Sequence, residues 1–114
     1  YALEKGNDKI VVVLTRNPGY RKKRAVKAME QLYKRAYKKY PNLVRTIMTR
    51  NAVYNKQMKL IEKLEEEGKI FVIRPLIPTV SRMEKDYDKL QHFYMHGNRL
   101  MKKEYQGLLE YLNE

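Results

Sequence analysis

Ile10-Val11-Val12-Val13-Leu14 is the stretch that most limits what this chain can become. It is apolar at every position, β-branched at most, and does not alternate, which is how a strand covered on both faces reads. It stops at Thr15-Arg16, and a Pro18-Gly19 turn leads into the basic run Arg21-Lys22-Lys23-Arg24. A second run, Ile70-Phe71-Val72-Ile73, is closed by Arg74-Pro75, because proline cannot donate to a ladder. About 55 residues separate the two runs and read as helix, so a parallel crossover is the natural inference. The predicted fold class is α/β, mostly helical. It has two parallel strands joined by a multi-helix crossover, plus a long C-terminal helix. Such a pair leaves sheet edges unpaired, so further strands of a longer chain are expected beside it, or a second copy in a homodimer through strand edges.

The intervening helices carry their own signals. Residues 21–39 place Val26, Met29, Tyr33, Ala36, Tyr37 and Tyr40 within an arc of about 100°, an apolar face suited to packing. Pro41 ends that helix and suits the first turn of the next, over 42–50. Asn51 is a candidate cap for a third helix whose apolar row is Tyr54, Met58, Ile61 and Leu64. Its last turn is Glu65-Glu66-Glu67, with Gly68 as the C′ residue and the acids at the unfavourable end of the dipole. Farther on, Ser81 and Glu84 have capping-box spacing, but Asp86 is the better cap. From Asp86, a long stripe runs through Leu90, Phe93, Tyr94, Gly97, Met101 and Tyr105 to Leu108 and Leu112, and Gly97 invites close packing.

Charge divides the chain. Residues 16–59 hold 14 basic side chains against one acid, Glu30, a net of +13; residues 60–114 hold 9 basic and 10 acidic. The candidate anion or membrane surface is Arg21, Lys22, Lys23 and Arg24, continued by Lys27, Lys34, Arg35, Lys38 and Lys39. A nucleic-acid-binding module is the rival reading of the same residues, but no RRM, KH or zinc-finger signature accompanies them, so nucleic acid is the less expected partner. An oligomerisation or regulatory domain is a further alternative.

The residues that chemistry needs are scarce. There is no Cys, so no disulfide and no thiolate site exists. Ser81 is the only serine; its context is not G-x-S-x-G, and it reads as a cap or turn. His92 and His96 share a helix face at i, i+4, with only Asp88 nearby, short of a metal site. No glycine-rich phosphate loop is present. We therefore expect no catalytic residue, no metal and no cofactor in this chain. No apolar run approaches the ~20 residues of a membrane span, and no secretory leader opens the chain. A cytoplasmic protein at the membrane periphery is expected. The chain opens at Tyr1 in what reads as a helix end stopped by Gly6, which suggests a piece of a longer protein.

Several stretches taken in order resemble the C-terminal region of bacterial patatin-like phospholipases: DKIVVVLTR (8–16), RKK (21–23), YPNLV (40–44), YNKQMKLIEKLEEEGKIFVIRP (54–75) and VSRMEKDYDKL (80–90). The resemblance spans nearly the whole chain, and GKIFVIRP and VSRMEKD are its most specific parts. It implies that residues 1–114 form a single C-terminal domain of a parent with a three-layer α/β/α sheet. It also implies that the parent is a serine acyl hydrolase of lipid esters. That family's dyad is a Ser in G-x-S-x-G and an Asp in D-G-G/A, and neither motif occurs here. No catalytic residue is carried over. The implied partner is the rest of the parent chain, and the implied task is to complete the sheet and offer a basic surface. Arg16 and Arg74, at the strand ends, would at most line the rim of the parent's site.

Overall fold

A computed structural model describes residues 1–114. Its elements in chain order are β1 (Val11–Val13), α1 (Lys27–Ala36), α2 (Pro41–Glu66), β2 (Phe71–Ile73) and α3 (Tyr87–Asn113). The molecule is mixed α/β and mostly helical, and its two strands are parallel as the sequence predicts. Contacts divide it into two units, residues 1–20 with 64–114 and residues 21–63. No helix is long and apolar enough to cross a membrane.

In the first unit, Val11, Val12 and Val13 face Phe71, Val72 and Ile73 in register. Phe71 N–H donates to the Ile10 carbonyl at 3.0 Å, and Leu14 N–H donates to that of Ile73 at 2.8 Å, so the pairing reaches 10 and 14. The next rung would run from Ile10 N–H to the Lys69 carbonyl. Instead the Tyr111 hydroxyl stands in that rung. It accepts from Ile10 N–H at 3.0 Å and lies 3.1 Å from the Lys69 carbonyl oxygen, to which it donates. Tyr111 is buried, and its ring lies 5.7 Å from that of Phe71.

That contact decides which face of α3 meets the sheet. The expected stripe is packed only in part: Phe93, Met101 and Leu108 are half-buried, but Tyr94 and Tyr105 are exposed, and nothing lies near the Cβ position of Gly97. The packed side runs through Phe93, His96, Leu100, Gly107 and Tyr111, about a quarter turn away. Gly107 is the glycine of close approach, since a Cβ there would sit 3.8 Å from the Phe71 ring. The helix start is as predicted: the Asp86 carboxylate accepts from Asp88 and Lys89 N–H at 3.0 and 3.3 Å. At the end of α2, Lys69 N–H bonds the Leu64 carbonyl and Gly68 N–H that of Glu65, with Gly68 at φ +68°. These are the two bonds of a Schellman stop with glycine at C′.

In the second unit the structure departs from the sequence reading in three ways. Residues 21–26 are not helical, and α1 begins only at Lys27. Two asparagines on α2 account for this. The Asn55 side chain accepts from Lys22 N–H at 2.8 Å and donates to the Lys22 carbonyl at 2.9 Å, and Asn51 donates to the Lys23 carbonyl at 2.7 Å. These amides satisfy the backbone groups that a helix would have used. Secondly, Asn51 caps nothing; α2 runs unbroken from Pro41, and the expected helix break at 50–51 is absent. Thirdly, the apolar arc of α1 is packed only in part: Tyr33 is half-buried and Tyr37 lines a groove with Val44 and Met48, but no residue of α1 is buried, and Val26, Met29 and Tyr40 are exposed. Val44 on α2 is the buried residue of this unit.

Candidate functional site

Ligands of parallel α/β sheets bind outside the carboxyl ends of the strands, so the exits of β1 and β2 are the first place to look. Asn17 ties those exits together: its side-chain amide donates to the Pro75 and Ile77 carbonyls at 3.1 and 2.7 Å. Beside them lies an apolar groove of about 370 Å³ between the strand ends and α3, walled by Val13, Ile73, Pro75, Phe93, Leu100 and Met101. Its polar lining is Thr15, Arg74 and His96. Each strand-end arginine has an intramolecular partner. Arg74 pairs with Glu65 of α2, its side chain only 12% exposed. Arg16 donates to the Thr79 hydroxyl at 3.2 Å and lies 5.0 Å from the Tyr20 ring centre. The acids at the end of α2 also find a reason, for Glu65 takes Arg74, and Glu67 takes Lys69 at 2.7 Å.

His96 is engaged by the backbone. Leu76 N–H donates to its Nε2 at 3.1 Å, which leaves the ring proton on Nδ1. His92 is exposed, and no three His, Asp or Glu side chains gather in a metal-holding group. Ser81 is exposed, lies outside the groove, and contributes its carbonyl to a turn by accepting from Glu84 N–H at 3.2 Å. No histidine or carboxylate bonds its hydroxyl. The groove thus offers shape and apolar surface, without a nucleophile held by a base.

The second unit presents charge. Of the expected basic surface, Arg21 pairs with Glu62 at 2.5 Å, Lys22 lies 4.4 Å from the Tyr54 ring centre, and Lys34 pairs with Glu30 at 2.8 Å. The hydrogen bond from Lys34, helped by its charge, holds the Glu30 carboxyl below its usual range. Lys23, Arg24, Lys27, Arg35, Lys38 and Lys39 are exposed. The basic residues therefore do not act alike: some position the backbone or neutralise an acid, and the rest face solvent.

Sequence reasoning missed Asn17, Asn55 and Tyr111, and gave Asn51 a cap in place of its bond to the Lys23 carbonyl. Asparagine inside a helical pattern is a weak signal, because it is a poor helix former that invites a second use. Tyr111 gave no signal, since one tyrosine among ten reads as packing.

A family model described as Domain of unknown function (DUF6363) matches residues 40–113, which hold α2, β2 and α3. No curated protein matches the chain, and neither does any solved structure.

Proposed function

The chain belongs to the DUF6363 family, and we propose that it serves as the C-terminal, sheet-completing segment of a patatin-like lipid acyl hydrolase, with no catalysis of its own. The open edge of β1 carries this reading. Even-numbered residues Ile10 and Leu14 bond β2, so the N–H and C=O groups of Val11 and Val13 point away from it. The Val13 side chain is 70% exposed although its partner Ile73 lies against α3. An apolar strand with one free edge and one bare face is what an inner strand of a larger sheet looks like when its neighbours are absent. The resemblance of DKIVVVLTR, GKIFVIRP and VSRMEKD to the patatin-like family supplies the kind of sheet. The exposed cations would turn that molecule toward anionic lipid at the cytoplasmic face of a membrane. Arg16 and Arg74, both engaged internally, would stiffen the rim of the parent's site without touching substrate.

Three measurements test the proposal. The longer protein should carry G-x-S-x-G and D-G-G/A ahead of this segment, and a parent without them overturns the hydrolase reading. Purified residues 1–114 should release no nitrophenol from a short-chain nitrophenyl ester. In the parent, Ser81→Ala should leave turnover nearly intact, because loss of a true nucleophile costs many orders of magnitude. Release by the isolated chain that Ser81→Ala abolishes would place catalysis here instead.

A further inference from the structure

The segment from Val26 to Tyr40 holds two opposite surfaces, and apart from the half-buried Tyr33 both are largely open. One arc of α1 with its flanks carries Val26, Met29, Leu32, Tyr33, Tyr37 and Tyr40, of which Val26 is 66%, Leu32 57% and Tyr40 63% exposed. The other arc carries Lys27 and Arg35, and Lys38 and Lys39 follow just beyond the helix end. Its one acid, Glu30, is held by Lys34, so negative charge does not oppose a negative partner there.

These surfaces together narrow the partner. A nucleic acid would meet the cations and leave the apolar arc in water. A protein core would cover the apolar arc and gain nothing from the cations. The headgroup boundary of an anionic bilayer offers acyl chains below and negative charge above within one helix diameter. Tyrosine suits that boundary, with its ring in the apolar layer and its hydroxyl at the headgroups.

We infer that α1 lies in the plane of an anionic membrane interface, with the exposed Val26, Met29, Leu32 and Tyr37 inserted among the acyl chains and Lys27, Arg35, Lys38 and Lys39 at the headgroups. It rests on the reading that the basic half meets anionic lipid, and adds insertion to it. Charge alone gives an association that salt reverses; buried apolar area gives one that salt weakens only in part.

The chain has no tryptophan, so one introduced residue reports its own surroundings. Leu32→Trp reports the apolar arc and Gln31→Trp the polar one, and circular dichroism checks that each variant keeps its helices. Both are mixed with vesicles of phosphatidylcholine alone and of phosphatidylcholine with phosphatidylserine, followed by emission, by quenching with brominated acyl chains, and by co-sedimentation. The expected result is a blue shift and bromine quenching for Leu32→Trp only, with the anionic vesicles only, surviving in part when salt is raised. Lys38→Glu with Lys39→Glu should weaken co-sedimentation at least tenfold, since each cation near such a surface is worth roughly fivefold. Co-sedimentation without a blue shift overturns insertion and leaves the electrostatic reading standing. No co-sedimentation with anionic vesicles overturns both, and duplex DNA binding with a steep salt slope in its place assigns the cations to nucleic acid.

Discussion

Single side chains in this protein often take the place of backbone partners. The Tyr111 hydroxyl occupies a rung of the strand ladder, between Ile10 N–H and the Lys69 carbonyl. Tyr111→Phe leaves both groups unmatched in a part-buried site, and the expected loss is about 1–3 kcal/mol in urea denaturation. A loss below about 0.5 kcal/mol would mean that water takes the rung over. Glu30 makes a pH prediction whose sign follows from its cause. Lys34 depresses the carboxyl in the folded state, so its contribution is present above the unfolded carboxylate pKa and fades as pH falls through the lower folded value. Wild type and Glu30→Gln should therefore differ in melting temperature near neutral pH and converge in acid. The side chain is exposed, so the difference is small and shrinks with salt.

At the scale of elements, helix boundaries split into those set locally and those set from elsewhere. Asp86, Pro41 and Gly68 act within a turn of their own positions, and all three stand where the sequence predicts. The start of α1 is imposed from α2, whose Asn55 and Asn51 hold the backbone of 22–23 out of the helix. Asn55→Ala should cost about 1–2 kcal/mol and speed hydrogen exchange of the Lys22 amide. It should not reduce helix content, because residues 21–26 are then free to join α1. An unchanged Lys22 exchange rate would count against the clamp. The face of α3 is another imposed choice: Gly107 and Tyr111 meet Phe71, and Leu90, Tyr94, Tyr105 and Leu112 of the stripe that looks more apolar are left exposed.

For the whole molecule the governing fact is how little is buried. Val44, Ile70, Leu100 and Tyr111 are the buried hydrophobic residues, and no side chain is sealed from solvent. Leu43, Val53, Leu60 and Leu76 are exposed as well. Surface of this kind draws partners. Pairing of β1 with its twin across a two-fold axis is expected for the isolated chain, seen as concentration-dependent sedimentation. Val13→Lys, at the open edge, should suppress it. Sedimentation as a monomer at every concentration would rule this pairing out.

The residues along the chain suffice for the two apolar strands, their parallel sense, the proline and aspartate helix signals at 41 and 86, and the uneven charge. These depend on neighbours along the chain or on run length, which a sequence displays. Packing in three dimensions sets the end of the strand ladder, the packed face of α3, the extended entry to α1 and the pairing of Arg74 with Glu65. Each of these is a hydrogen bond, ion pair or ring contact between residues far enough apart that periodicity carries no trace of it. The bare faces of β1 and α1 belong with them: an apolar pattern tells which side of an element wants cover, and only three-dimensional packing tells whether this chain supplies it.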